Sequence, residues 1–198
     1  MHSMVSRYCR FLAALSLGAA LSTPAWALDV GGVKLDETVQ LASQELKLNG
    51  AGVRYKFIFK VYAIGLYLPE KKNQLDEVLA LPGPRRLEIV MLRDVGTDDL
   101  AKSFMEGLKR SAEPADRIRL IKQTMQFGNM FALAPDLHSG DILTVDWLPG
   151  EGTLCKLNGK QLGERVPDLA FYNALLKIWI GAHPADTQLR AHLLGETS

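Results

Sequence analysis

The stretch LKLNGAGVRYKFIFKVYAIGLYL, residues 46–68, decides the fold. It is rich in β-branched and aromatic residues, it contains no acidic residue, and Gly50, Gly52 and Gly65 interrupt it. The segment from Phe57 to Tyr62 has the composition of a strand that is largely buried on both faces. The stretch therefore predicts sheet structure, with this segment inside the core.

Further strands and helices surround this stretch in groups. Strands are predicted at residues 28–35, 87–92, 141–147 and 153–157, largely as neighbours joined by turns. Helices are predicted from Thr97, from Pro114, and from the capping residue Asp168 to about Ile180. The apolar face of the helix after Pro114 is predicted at Ile118, Ile121 and Met125. Turn-linked strands with helices grouped between them are typical of an antiparallel sheet covered by helices, an α+β fold.

The first 27 residues have the pattern of a cleavable signal peptide. Arg7 and Arg10 precede an apolar run that begins at Phe11, and the small-x-small pattern from Ala25 to Ala27 follows it. The apolar run has roughly half of the 20 or so residues that a membrane-spanning helix needs. We therefore expect cleavage after Ala27, which leaves residues 28–198 as a single exported domain without a membrane anchor.

The composition of residues 28–198 excludes several classes of function. This part of the chain has 21 basic and 22 acidic residues, without the basic stripe or acidic tail that would indicate nucleic acid or an anionic membrane surface as partner. Phosphate-binding loops, dinucleotide fingerprints and metal-ligand spacings are absent, so we predict no cofactor and no metal. The lone Cys155 lies in an alternating strand pattern, which favours a small buried side chain over a reactive nucleophile.

Arg54 is the residue that most strongly suggests a site, because it is a cation within an apolar segment. An unpaired buried charge costs several kcal/mol, so the guanidinium needs an anion. One of the chain's own carboxylates, such as Asp94 or Asp146, would serve. A ligand carboxylate or enolate, gripped by the planar guanidinium, is the functional alternative. The glycines that precede Arg54 are typical of a position that a backbone or a ligand approaches closely.

Several segments in this order resemble the chalcone isomerase family, and in particular its bacterial branch with signal peptides. They are Gly50–Arg54, Phe59–Leu68, Leu92–Val95, Trp147–Thr153, Asn158–Lys160 and Ile178–Gly181. The resemblance implies a large antiparallel sheet with a layer of helices on one face, an open-faced β-sandwich with a ligand cleft between the layers. It also implies a periplasmic location and places Arg54 at the family's functional arginine.

The resemblance implies different roles for individual residues. Plant isomerases have a threonine where this chain has Tyr62, whereas the family's non-catalytic fatty-acid-binding members pair the arginine with a tyrosine. The plant enzymes also have a catalytic tyrosine and an asparagine in the region that corresponds to Val95–Ser103, and neither residue type occurs here. Thr153 matches the last active-site threonine of the plant enzymes. The residues expected to bind ligand are therefore Arg54, Tyr62 and Thr153.

The spacing of Arg54 and Tyr62 raises a geometric question. On one straight strand, eight residues would separate them by about 26 Å, too far to share a ligand head group. A turn within residues 55–59 would bring them together, but that segment contains none of the usual turn residues.

Three functions follow as hypotheses. The first is a non-catalytic periplasmic protein that binds a fatty acid or similar amphipathic carboxylate through Arg54 and Tyr62. Its tail site would be lined by aromatic residues, for which the candidates are Phe57, Phe59, Tyr67, Phe104 and Trp179. The second is an isomerase or lyase acting on a chalcone-like enone, with Arg54 as its catalytic residue. The third is an envelope protein that binds another protein and retains a vestigial cleft, with Arg54 paired to an internal carboxylate.

Overall fold

Seven strands form one antiparallel sheet in which each strand pairs with the next along the chain. The computed structural model describes residues 27–131 and 134–196. The strands of the sheet are β3 (Thr38–Leu41), β4 (Gln44–Lys56), β5 (Phe59–Leu68), β6 (Arg85–Met91), β7 (Ile142–Leu148), β8 (Gly152–Leu157) and β9 (Lys160–Val166). A separate hairpin consists of β1 (Ala27–Val30) and β2 (Val33–Asp36).

The helices are inserted between strands or follow the last one. They are α1 (Leu75–Ala80), α2 (Thr97–Ser111), α3 (Pro114–Arg119), α4 (Ile121–Phe131), α5 (Leu169–Ile180) and α6 (Thr187–Leu193). The carboxylate of Asp168 accepts a hydrogen bond of 2.8 Å from the amide of Ala170, which begins α5 as predicted. None of the helices in the described ranges has the length and apolar composition that crossing a membrane requires.

The two faces of the sheet pack against different partners. On β5, Tyr62, Ile64, Leu66 and Leu68 belong to a core shared with the helices, because alternate residues of a strand point to the same face. Tyr67 lies on the opposite face, in a smaller cluster with residues of the β1–β2 hairpin. The structure is therefore the predicted α+β fold, an antiparallel sheet with helices on one face.

Interlocked aromatic rings occupy the space between the sheet and α2, α4 and α5. Phe104 contacts three other rings with centroids 5.5–5.7 Å apart. The members of this aromatic cluster are Phe104, Phe127, Phe131, Phe171 and Trp179, all with 3% exposure or less. Contacts between such rings stabilise a core by more than the burial of their apolar area alone. This layer is a packed core rather than an open cleft.

Two sequence predictions about apolar segments are wrong. The segment Phe57–Tyr62 is not a strand buried on both faces: Phe57 and Ile58 form the turn between β4 and β5 and are 90% and 83% exposed. The predicted core face of the helix after Pro114 is also exposed. Ile118 is 78% exposed. The chain there forms two helices, α3 and α4, and the buried residues are Leu120 and Phe127 instead. The predicted signal peptide lies outside the described residues, except that Ala27 begins β1.

Candidate functional site

Arg54 and Tyr62 lie directly opposite each other on neighbouring strands. The chain turns at Phe57 and Ile58, and one extra residue, Val61, is accommodated on β5 between the pairs Arg54–Tyr62 and Tyr55–Lys60. Residues in such opposite positions have their Cβ atoms about 4.5–5.5 Å apart. The turn within residues 55–59 that the shared site required is therefore present, although no turn residue marks it.

Gly50 and Gly52 make room for helix α6 on β4. A Cβ atom at Gly50 would lie 2.0 Å from the carbonyl oxygen of His192, and one at Gly52 would lie 2.8 Å from Leu189. Only glycine allows a helix backbone to lie this close to the strand. The predicted close approach is confirmed, and the approaching group is the backbone of α6.

This packing places the start of α6 beside Arg54. One carboxylate oxygen of Asp186 accepts hydrogen bonds of 3.0 Å from the amides of Gln188 and Leu189 and so caps the helix. The other oxygen lies 3.7 Å from Nη1 of Arg54. Asp186 is thus the internal partner of Arg54, and sequence reasoning missed it. An aspartate followed by leucines at positions 189 and 193 is a helix-start signal that could have identified it.

The two carboxylates that the sequence suggested for Arg54 have other partners. Asp146 is completely buried and binds Arg86 through two hydrogen bonds of 2.7 and 2.8 Å. Asp94 accepts a hydrogen bond of 2.9 Å from the amide of Ser139 on the surface. Both suggestions for the partner of Arg54 are therefore wrong.

The Arg54 side chain retains donors for a further anion. Its distance of 3.7 Å from Asp186 is too long for a hydrogen bond. Its guanidinium donates from Nη1 to the carbonyl oxygen of Tyr55 and also hydrogen-bonds to the hydroxyl of Tyr62. Because a guanidinium has five N–H donors, most of them are available. The side chain is 23% exposed, so these donors are accessible from outside.

Tyr62 is held by the helix layer. The indole Nε1 of Trp179 donates a hydrogen bond of 2.9 Å to the hydroxyl oxygen of Tyr62. Burial raises the pKa of Tyr62, and the hydrogen bond from Trp179 and the positive charge of Arg54 offset that rise only in part. The phenol is therefore protonated at neutral pH. With its oxygen already accepting from Trp179, its O–H is suited to donate to an acceptor near Arg54.

An open groove of about 1060 Å³ runs along β4 next to Arg54, and neither Arg54 nor Tyr62 is part of its lining. Between the β1–β2 hairpin and α6, it follows the part of β4 that has no strand partner on its outer edge among the described residues. Its lining includes Gly52, Val53, Tyr55 and Leu189, so the groove reaches the residues on both sides of Arg54. Its size is sufficient for a lipid-sized ligand.

Thr153 does not join Arg54 and Tyr62. It is fully buried on β8, in the cross-strand row that contains Trp147 and Arg85, whereas Tyr62 is paired with Met91. Six residues along β6 separate these two rows, which corresponds to about 20 Å. The hydroxyl of Thr153 has no hydrogen-bond partner among the described residues.

The aromatic residues suggested for a tail site are also dispersed. Phe57 and Phe59 lie exposed at the hairpin turn, and Tyr67 packs on the sheet face away from the helices. Phe104 and Trp179 belong to the packed aromatic cluster. None of the five lines the groove beside Arg54.

Among the residues that the structure describes, the other chemistry-bearing groups give no second site. Cys155 is 1% exposed, and burial raises the pKa of its thiol to about 12, so it is the small buried side chain that the sequence predicted. Over the ranges that the structure describes, His, Cys, Asp and Glu residues form no group of three or more that could hold a metal ion. Arg85 is buried, and carbonyl oxygens at the end of α1 and the side chain of Asn173 accept hydrogen bonds from its Nη1. Its Nε has no hydrogen-bond partner among the described residues.

Comparison with known proteins agrees with this architecture. The fold is similar to that of a fatty-acid binding protein from Arabidopsis thaliana, with a TM-score of 0.63 and 15% identity, over 82% of this chain and 92% of that one. At this identity the likeness concerns the fold alone. No curated protein matches the sequence. A family model described as chalcone isomerase-like matches residues 27–195. The chain therefore belongs to the chalcone isomerase-like family.

Proposed function

We propose that this protein is exported to the periplasm by a signal peptide cleaved after Ala27, and that it binds a fatty acid or similar amphipathic carboxylate without catalysing a reaction. The observation that carries the proposal is the pairing of Arg54 with Tyr62 across β4 and β5, next to an open groove along β4. The similarity of the fold to a fatty-acid binding protein is consistent with it.

The two side chains offer complementary hydrogen bonds to a carboxylate. The guanidinium of Arg54 supplies a fixed positive charge and N–H donors, which form short, charge-assisted bonds with carboxylate oxygens. Tyr62 adds a neutral O–H donor, since burial keeps its pKa above the ordinary value. A carboxylate held between them would thus receive bonds from both strands of the hairpin.

The acyl chain would lie in the groove between α6 and the free edge of β4. The interior around Phe104 and Trp179 is filled by the aromatic cluster. A second groove of about 1060 Å³ lies between α4 and β9, and its lining contains no residue of β4 or β5. Gly52, Val53 and Leu189 supply apolar contacts along the groove near Arg54. This path replaces the aromatic lining that the sequence suggested.

Asp186 affects how strongly a ligand carboxylate can bind Arg54. Its carboxylate lies near Arg54 and competes electrostatically with any ligand carboxylate. The 3.7 Å separation, together with the partial exposure of both side chains, makes this pair a weak one. A ligand carboxylate that reaches Arg54 directly gains the hydrogen bonds that Asp186 does not make.

A second function has an observation in its favour. The ion pair of Arg54 with an internal carboxylate and the filled aromatic core are what a protein-binding module with a vestigial cleft would have. The isomerase hypothesis has less support, because Thr153 is distant from Arg54 and the region from Val95 to Ser103 lacks tyrosine and asparagine.

Native mass spectrometry with lipid extraction tests the proposal, using protein purified from its own compartment without detergent. We expect a stoichiometric acyl carboxylate that is lost in Arg54→Ala. The matched control is Arg119→Ala, an arginine on α3 with 60% side-chain exposure, which should retain the lipid. An empty protein, or equal retention in Arg54→Ala, would refute the proposed anchor and favour the protein-binding module.

A further inference from the structure

The turn between β4 and β5 exposes three consecutive large apolar residues. Phe57, Ile58 and Phe59 have exposed fractions of 90%, 83% and 56%. We call these three residues the hairpin tip. Scattered exposed apolar side chains are ordinary, but a contiguous apolar patch marks an interaction surface. The exposure of three contiguous apolar residues at the hairpin tip therefore indicates an interaction surface.

The backbone of the hairpin tip is unfavourable for the residues it carries. Phe57 has φ +58°, a left-handed conformation that bulky residues rarely adopt and that asparagine or glycine adopts readily. Two-residue hairpin turns normally have such small or polar residues. Phe57 thus strains the turn. Phe57 and Ile58 bury almost nothing in return within the chain. Neither the turn nor the core of this protein accounts for their apolar character.

Positive charges surround the hairpin tip. Lys56 and Lys60 flank it and are exposed, and the guanidinium of Arg93 lies 5.5 Å from the centre of the Phe59 ring. No acidic residue occurs from Leu46 to Leu68. Lysine side chains beside an apolar tip can extend to lipid phosphates while the tip enters the acyl region. The chain as a whole is nearly neutral, so its composition does not reveal this local excess of positive charge. For that reason the composition did not indicate an anionic membrane surface as a partner.

We infer that the hairpin tip inserts Phe57, Ile58 and Phe59 into an anionic lipid surface, with Lys56, Lys60 and Arg93 contacting the lipid head groups. The charge pattern selects this partner, because an apolar tip flanked by Lys56 and Lys60 and contacted by Arg93 matches the interface of an anionic bilayer, although Asp94 next to Arg93 is also exposed. The inference does not depend on ligand binding at Arg54. It adds that Arg54, which precedes the tip by three residues on β4, lies close to the membrane surface when the protein is docked.

Vesicle flotation tests this inference, using the protein from which the predicted signal peptide has been removed. The vesicles contain phosphatidylcholine alone or an equal mixture with phosphatidylglycerol. We expect binding to the anionic vesicles that weakens as salt is added, since salt screens the lysine contacts. The double variant Phe57→Asn with Ile58→Ser should lose at least tenfold in partitioning, because each removed side chain takes away apolar area. Its thermal stability should be unchanged or higher, because asparagine tolerates the positive φ.

Two further variants make the result specific. Ile118→Ser with Met125→Ser removes exposed apolar side chains on α3 and α4 and should leave partitioning unchanged. Ile58→Cys can be labelled with an environment-sensitive dye, because the only other described thiol, Cys155, is buried. The dye emission should shift to the blue when anionic vesicles are added.

The inference fails on any of four results. Absence of the unsubstituted protein from the floating anionic vesicles would overturn it. So would equal partitioning of the protein and its Phe57→Asn, Ile58→Ser variant. Equal binding to neutral and anionic vesicles would overturn the role of the cations, and a dye that stays in water would show that the tip does not insert.

Discussion

The indole nitrogen of Trp179 on α5 donates a hydrogen bond of 2.9 Å to the hydroxyl of Tyr62 on β5. Both side chains are buried, at 1% and 8% exposure. The bond connects the helix layer to β5, the strand that carries Tyr62, which is one of the two residues proposed to bind the ligand carboxylate. It also fixes the orientation of the phenol, because a buried hydroxyl is held by the partner that satisfies it.

Replacing Trp179 with phenylalanine should destabilise the protein. The substitution leaves the buried hydroxyl of Tyr62 without its donor, at a cost of about 1–3 kcal/mol in the free energy of unfolding. Urea denaturation of Trp179→Phe, Tyr62→Phe and the double variant measures the coupling between the two side chains. Strictly additive effects of the two substitutions would show that the hydrogen bond contributes nothing.

Substitution of Gly50 by alanine should displace α6. The added Cβ would lie 2.0 Å from the carbonyl oxygen of His192 and 2.7 Å from that of Leu193, and backbone atoms cannot yield without moving the helix. We expect a lower urea midpoint and faster amide exchange in α6. Gly96→Ala is the matched control, since its Cβ would meet nothing closer than 3.8 Å. If both substitutions have the same small effect, the close packing of α6 on β4 is wrong.

The sequence was sufficient to predict the sheet, the main helices and a close approach of a backbone or a ligand to the glycines before Arg54. It was not sufficient to locate the β4–β5 turn. Composition predicts burial for Phe57 and Ile58, whereas both are exposed at a turn with an unfavourable φ at Phe57. A rule based on the usual turn residues cannot find a turn that is formed by Phe57 and Ile58.

The partner of Arg54 also escaped prediction, for a different reason. Asp186 is distant in sequence, and its position follows from how α6 packs on Gly50 and Gly52. The sequence contains enough carboxylates to make Asp94 and Asp146 reasonable choices. Only tertiary packing decides among them, and it assigns Asp146 to Arg86.

Above neutrality the free energy of unfolding should depend on pH through the buried thiol of Cys155, whose pKa burial raises to about 12, and through three tyrosines. Burial raises the pKa values of Tyr62, Tyr67 and Tyr172. Their folded pKa values exceed the value of about 10 in the unfolded chain, so the unfolded state loses these protons first as pH rises. Their contribution to the free energy of unfolding is constant below about pH 10 and decreases above it.

Urea unfolding at about pH 8 and about pH 11 checks this dependence, with tyrosinate absorbance as a direct reading of ionisation. We expect the ionisation of these tyrosines to coincide with alkaline unfolding. Tyr172→Phe should show a shallower decrease in stability over the same interval. Stability that is equal at both pH values would contradict the assigned burial.

Removing the charge of Asp186 should strengthen ligand binding. Asparagine caps a helix about as well as aspartate, so Asp186→Asn should retain α6 while eliminating the carboxylate that competes for Arg54. We expect severalfold tighter binding of a fatty acid, measured by displacement of a fluorescent analogue. Weaker binding in a variant of unchanged thermal stability would show that Asp186 assists the ligand rather than competing with it.

The most direct test of the proposed function is equilibrium binding of oleate, below its micelle concentration, compared with binding of its methyl ester. We predict that the protein binds oleate, that the uncharged ester binds far more weakly, and that Arg54→Ala weakens oleate binding at least tenfold. The last expectation follows because hydrogen bonds to charged groups contribute roughly 1.5–3 kcal/mol. Oleate affinity that is unchanged in Arg54→Ala, or equal affinity for the acid and the ester, would contradict Arg54 as the carboxylate anchor.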